Sequence, residues 1–431
     1  MYDAIVVGAR CGGSPTAMLL ARRGFKVLLV DKATFPSDTI STHILWPHGA
    51  EILGRWGLLQ RLAATGVPPI CRRMTFDVGP FALRGTIPDA NDGMGGFCPR
   101  RTALDALLVN AAAESGADVR EGFTVDELLV ADDTVVGIRG HAKGMNLVEE
   151  RARIVIGADG VNSFVARTVR APEYNVQPVA ACAYYSYFSG LRQDDIELYV
   201  REHVAFGGAP TNGGLHLVMV NWPTRDFPAI RTDVDGHVWR ALEAAPDFLA
   251  RVREGRREEK WYGTAGVPGY LRKPSGKGWA LVGDASYNRD PITAQGISDA
   301  FIDAEAVVAA LSAGLSDSGV FDEPLAAHEA ARNERVRPMY EFTTHLAALE
   351  PPPPDMQALF GALRHNQDAT NAFLSAITGA IPLPDFMSTE NIGRIMATTP
   401  PRTKRAVGTP AAANEAEIHR QERSERSVSC T

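Results

Sequence analysis

The chain opens on a pattern that leaves few folds available. An apolar run, Tyr2 to Val7, leads into a glycine-rich turn, Gly8-Ala9-Arg10-Cys11-Gly12-Gly13. A helical segment follows, Ser14 to Arg23, with Ala17, Met18, Leu20 and Ala21 available for packing and Gly24 as its stop. A second run, Phe25 to Val30, closes on Asp31. Unbroken apolar runs suit strands buried on both faces, and such strands pair in parallel. Parallel neighbours need a crossover, so strand, turn, helix and strand over roughly 30 residues make a βαβ unit.

The turn has the spacing of a dinucleotide-binding loop with one departure. That fingerprint wants glycine at its first, third and sixth positions. Gly8 and Gly13 fill the first and sixth, but the third is Arg10. A side chain there crowds a pyrophosphate unless Gly12 gives room, and the guanidinium of Arg10 is itself suited to a phosphate. Cys11 completes the turn. Asp31 ends the second strand, where a carboxylate accepts from the hydroxyls of an adenosine ribose, and Lys32 follows it near the adenine. Each feature alone reads as a tight turn or a solvated strand end; together they favour nucleotide binding.

Far down the chain, Leu281 to Gly296 reads as a buried strand, a Gly-Asp turn, a polar loop and a helix start. The helix continues from Ile297 to about Ala310, and Ala300, Ala304 and Ala306 allow close packing. A helix N-terminus carries free N–H groups and partial positive charge, so it suits a phosphate or a negatively polarised oxygen.

Gly283-Asp284-Ala285, then Pro291 seven residues after the aspartate, then Gln295-Gly296, resembles the second FAD fingerprint of the p-hydroxybenzoate hydroxylase-like flavoprotein monooxygenases. The resemblance implies that Asp284 contacts the ribityl chain, and that Pro291 and the Gln295-Gly296-Ile297 backbone flank the flavin. Arg101-Thr102-Ala103-Leu104-Asp105-Ala106-Leu107-Leu108 is similar to a family helix whose arginine helps hold FAD. Val125 falls on the strand that meets adenine in the relatives. Gly157-Ala158-Asp159-Gly160 matches the family's Asp-Gly motif, assigned to both FAD and NAD(P)H handling, although Asp-Gly is also an ordinary turn. Thr42 and His43 lie on a segment that passes the flavin in relatives; a loop histidine ordinarily faces solvent. The chain departs from the family pattern at Ser286, Tyr287 and Ala294, where relatives commonly have Ala, His and Gly.

The resemblance implies an α/β fold with a GR2-type, Rossmann-like FAD-binding domain built from residues 1–72, 98–178 and 268–345. Residues 73–97 and 179–267 are expected to form an inserted antiparallel substrate-binding sheet, 346–398 a C-terminal helical segment, and 399–431 a disordered tail. Within the sheet, Tyr184-Tyr185-Ser186-Tyr187-Phe188 alternates faces, and Asn212-Gly213 signals a hairpin. His43, Tyr185, Tyr187, the neighbouring His216 and Pro291 are candidate substrate-pocket residues, with ordinary sheet packing as the rival reading for the tyrosines and His216.

The implied activity is that of a single-component hydroxylase. NAD(P)H reduces non-covalently bound FAD, O₂ adds at the C4a position, and the hydroperoxyflavin delivers oxygen to an aromatic or other electron-rich small molecule. Three rivals stay open: a C=C reductase of the geranylgeranyl-reductase type, a relative of the flavin halogenases, and a flavoprotein-fold binding protein without turnover. The Trp-x-Trp-x-Ile-Pro segment of the halogenases is missing; Asn221-Trp222-Pro223 does not match it. Substrate, acid and base residues, choice of nicotinamide cofactor and oligomeric state stay open too.

Composition narrows the partners. A net charge of −7 argues against nucleic acid, which wants a basic face. No apolar run approaches the ~20 residues of a membrane span. Five scattered cysteines form no Cys-x-x-Cys pair, so neither a disulfide framework nor a metal site is expected. The first strand begins too early to leave room for a signal peptide, which makes the cytoplasm the expected compartment.

Overall fold

A computed structural model describes residues 1–70, 72–87, 95–318 and 321–398. The expected tail, 399–431, lies outside the described residues, as do Cys71 and Cys430. The apolar run Tyr2–Val7 is the centre of a parallel sheet whose order is Asp118–Glu121, Val27–Asp31, Tyr2–Val7, Val148–Gly157 and Trp279–Leu281. Ser275–Gly276 adds a short antiparallel edge. The first half of Val148–Gly157 also pairs antiparallel with Thr134–Ala142, which pairs in turn with Phe123–Ala131.

The alternation of side chains sorts this sheet into two cores. Ala4, Val6, Leu29, Ile154 and Ile156 face the helices Gly13–Arg22, Arg101–Glu114 and Gly296–Ala313. Ile5, Val7, Leu28, Val30 and Val155 face the antiparallel meander through Phe123, Leu128, Val135 and Ile138. A sheet covered on both sides needs strands apolar on both sides, which is the pattern read in the sequence.

The second large sheet runs Arg256–Arg257, Ala181–Ser189, His216–Pro223, Val204–Pro210, Ile196–Arg201, Met74–Asp77 and Ala82–Gly85. The hairpin expected at Asn212-Gly213 joins Val204–Pro210 to His216–Pro223, with Gly213 at φ +72°. One face, carrying Phe188, Val218, Val220 and Trp222, packs on the helices Val234–Leu242 and Pro246–Glu254. The other, carrying Tyr185, Tyr187, Ile196 and Leu217, packs on Ile44, Trp46, Ala294 and the C-terminal helices Pro354–Leu363 and Gln367–Ile377.

A third, small sheet, Glu173–Gln177 with Gly269–Arg272 and Tyr287–Asn288, rests on the long helix Asp322–Ala347 through Val336 and Tyr340. Its short strands lack the length to announce themselves in the sequence. No helix among the described residues is long and apolar enough to cross a membrane.

Candidate cofactor and substrate site

Backbone sterics explain two of the glycines in the first turn. Gly8 has φ +103°, and a Cβ there would lie 2.4 Å from the Ala158 carbonyl oxygen. A Cβ on Gly13 would lie 1.7 Å from the Gly8 oxygen. Gly12 differs, because its nearest neighbour would be the Val282 side chain at an ordinary 3.4 Å. The helix Gly13–Arg22 that follows has no side-chain cap, so its start is left for an external anion.

Arg10 does not present its guanidinium as the sequence suggested. Its Nη1 donates to Asp105 Oδ2 at 2.5 Å, and its Nη2 donates to Ser37 Oγ at 2.9 Å. Asp105 is fully buried and also takes Arg101 Nε at 3.0 Å and the Cys11 thiol at 3.5 Å. Burial pushes that thiol up to about 12, so Cys11 is a neutral packing group. Asp105, whose motif position alone does not disclose a role, gathers Arg10, Cys11 and Arg101 into one cluster.

Asp31 is held by its own surroundings, its carboxylate accepting from Ala9 N and Ala33 N, each at 2.7 Å. Lys32 is exposed, and Val125 is half-buried against the meander core. The carboxylate of Asp159 caps the helix Phe164–Thr168. It accepts from Ser163 Oγ at 2.5 Å, Phe164 N at 2.6 Å and Val165 N at 3.2 Å.

The second fingerprint is tied down on its outer side and open on its inner side. Gly283, at φ +62°, donates its N–H to Asp303 Oδ2 at 2.8 Å, and Tyr270 donates to the Asp284 carbonyl at 2.6 Å. The Asp284 side chain makes no hydrogen bond among the described residues and is exposed on one side. Protein crowds it on the other sides; that burial raises its carboxyl to about 6, with Arg101 opposing the rise.

Asp290 caps a single turn, Pro291–Thr293, and accepts from Ile292 N at 3.0 Å. Ala294 follows in the left-handed conformation, φ +53°, which suits the glycine that relatives commonly carry there. Gln295 reaches Ile377 O at 3.2 Å, and Ile297 is buried in the main core. Gly296, the first residue of an 18-residue helix, is exposed with nothing within 4 Å of where its Cβ would stand.

The uncapped helix start, the unpartnered carboxylate of Asp284 and the open surface at Gly296 fit an elongated nucleotide cofactor. A Cβ on Gly283 would lie 4.0 Å from Gly12 Cα, so the two fingerprints adjoin. FAD would be held at its phosphates by the first turn, at its ribityl chain by Asp284 and at its ring by the Pro291–Ile297 backbone.

Beside the ring-binding segment is an apolar cavity of about 90 Å³. Thr42, Ile44, Ile292 and Ala294 line one side, and Leu217, Met219, Asn221 and Phe76 line the sheet side. Among the described residues no charged side chain lines it; Tyr199 turns its hydroxyl away to Glu197 Oε2 at 2.5 Å.

His43 is fully buried, with φ +64°. Its Nδ1 lies 2.6 Å from the Ser41 carbonyl and therefore carries the proton, leaving Nε2 to accept from Tyr187 OH at 2.8 Å. Burial lowers its pKa to about 4, which keeps it neutral. Tyr185 packs edge-on against both rings, and the Arg100 guanidinium sits 3.9 Å over Tyr187. These three residues lie on the cavity's side of the sheet without lining it. His216 does not join them. Alternation puts it with Val218 and Val220 on the opposite face, where its Nε2 meets Gln193 O at 2.9 Å.

Known proteins are similar to this chain over much of its length. A family model described as FAD binding domain matches residues 1–343. Digeranylgeranylglycerophospholipid reductase 2 of Methanococcoides burtonii is 30% identical over 319 residues, which cover 69% of this chain and 72% of the relative. The myxobacterial FAD-dependent halogenase CndH shares the fold with a TM-score of 0.73 at 22% identity, covering 92% of this chain and 95% of that one. PqsL, a probable FAD-dependent monooxygenase from Pseudomonas aeruginosa, shares it with a TM-score of 0.65 at 20% identity, covering 86% and 98%.

Proposed function

Because this chain belongs to the FAD binding domain family, we propose that it is an NAD(P)H-dependent monooxygenase acting on an apolar small molecule held in the cavity between Ala294 and Met219. The observation that carries this reading is the cavity itself. Its walls combine the segment that would flank the flavin, Ile292 and Ala294, with the inner face of the second sheet.

Bound FAD supplies the redox chemistry and the reaction with O₂; the chain supplies place and surroundings. The first turn and the start of the helix Gly13–Arg22 bind the phosphates, and Asp31 the ribose. Arg101, fixed by Asp105, sets a positive charge near Asp284. The start of the helix Gly296–Ala313 supports negative charge at the edge of the ring. The apolar lining excludes water from the reacting atoms. Asp159, engaged with its own helix, would meet NAD(P)H or FAD through the backbone of its turn. Lys32 and Val125 would lie at the adenine end.

A second reading, C=C reduction, is favoured by the identity to a digeranylgeranylglycerophospholipid reductase and by the same apolar lining. Turnover separates the two. Purified protein loaded with FAD should oxidise NAD(P)H faster with an apolar substrate and should need O₂ for product. Product formed without O₂ would favour reduction, and failure to retain FAD would remove both readings.

A further inference from the structure

Asn221 is an unusual residue for its position. It sits inside the strand His216–Pro223, paired with Ala183 on one side and Ala205 on the other. Its same-face neighbours along the strand, Leu217 and Met219, are apolar. Asparagine is disfavoured in strands, and a buried amide costs free energy unless its hydrogen bonds are made. Asn221 is only 8% exposed, yet it makes a single long hydrogen bond, Nδ2 to Ala205 O at 3.4 Å. Its carbonyl oxygen accepts from nothing among the described residues and is not sealed in by protein. Asn221 lines the apolar cavity, which places its amide where a bound molecule can meet it.

We infer that Asn221 is a specificity-determining residue, and that the ligand of this cavity is an uncharged, largely apolar molecule bearing one hydrogen-bond donor, a hydroxyl or N–H, that Asn221 Oδ1 accepts. The absence of any charged lining residue among the described residues carries the first half of the claim. An ionised ligand would lose its water without gaining a counter-charge. The free amide oxygen carries the second half, because a site that presents a buried acceptor discriminates against analogues lacking the donor. The inference rests on the reading of this cavity as the substrate chamber.

Three probes on one ring system test it: 1-naphthol (neutral, with a donor), naphthalene (no donor) and 1-naphthoate (an anion). Binding is measured by calorimetric titration of the FAD-loaded protein at pH 8. One neutral hydrogen bond corresponds to about a fivefold preference, so 1-naphthol should bind roughly fivefold or more tighter than naphthalene. 1-Naphthoate should be the weakest of the three. In Asn221→Leu the preference for 1-naphthol over naphthalene should vanish, while naphthalene still binds. If that variant does not fold, the wild-type ranking and Asn221→Thr, which keeps an acceptor and part of the preference, decide the matter. Equal binding of 1-naphthol and naphthalene to the wild type would overturn the role of Asn221 and leave the chamber standing. 1-Naphthoate binding as tightly as 1-naphthol would overturn the neutral class. Binding of no probe would remove the chamber, and the inference with it.

Discussion

Arg332 is fully buried, and its Nη1 donates to Ser286 Oγ at 2.5 Å. Among the described residues no carboxylate pairs with this guanidinium. Its other partners are the Arg272 carbonyl at 2.9 Å, Tyr174 OH at 2.9 Å and Asn333 Oδ1 at 2.9 Å. Ser286 follows Asp284 by two residues and departs from the family pattern, which gives the departure a physical account: the hydroxyl meets a cation brought in by the helix Asp322–Ala347. Ser286→Ala should cost about 1–3 kcal/mol, the penalty of a buried donor left unmet, read as a lower urea midpoint.

Asp105 lies between Arg10 and Arg101 with no exposure of its own. Asp105→Asn removes the charge and leaves two guanidinium groups facing each other. Breaking a buried pair costs about 3–5 kcal/mol, so this variant should unfold at markedly lower urea concentration. Stability equal to wild type would mean that the cluster does not hold the first turn.

Two buried groups give opposite acid responses. The unfolded chain binds a proton on His43 near pH 6.5, but the folded chain refuses it until about 4. The contribution of His43 is therefore complete above pH 6.5 and is lost as pH falls through that window. Asp290 is raised by burial from 3.8 to about 6, so its contribution is greatest below 3.8 and is lost as pH rises through 6. Melting temperatures from pH 4 to 7 should rise less steeply in His43→Asn and more steeply in Asp290→Asn than in wild type. Asparagine tolerates the positive φ at position 43.

Ala294 combines a left-handed backbone with a place in the cavity wall. Ala294→Gly relieves about 1 kcal/mol of backbone strain but adds a comparable unfolded-state entropy, so stability should change little. Ala294→Val forces a β-branched residue to positive φ and narrows the cavity. It should cost about 1–3 kcal/mol and weaken binding of an apolar probe such as naphthalene.

What was legible in the sequence was local. Gly8, Gly13, Asp31 and the Asp284–Gly296 run declare themselves by spacing, because backbone approach and helix starts are set within a few residues. The hairpin at Asn212-Gly213 and the alternation of Tyr185 and Tyr187 belong to the same class. Pairings across long stretches of chain were not legible. Arg10 meeting Asp105, Arg332 meeting Ser286 and His43 meeting Tyr187 depend on how separate segments pack. His216 could have been set aside from the strand period alone, since it alternates with Leu217 and Met219. Asn221 carried a signal as well, an asparagine inside an apolar alternation, which the aromatic run upstream overshadowed.

The two fingerprints form one FAD site if the free carboxylate of Asp284, beside the first turn, holds the cofactor. The direct test is a titration of apoprotein with FAD, followed by flavin fluorescence, in wild type and in Asp284→Ala. The account predicts saturable binding by the wild type and at least roughly tenfold weaker binding by the variant, the worth of a hydrogen bond to a charged group. Equal affinity in the two proteins, or no binding by the wild type, would contradict it.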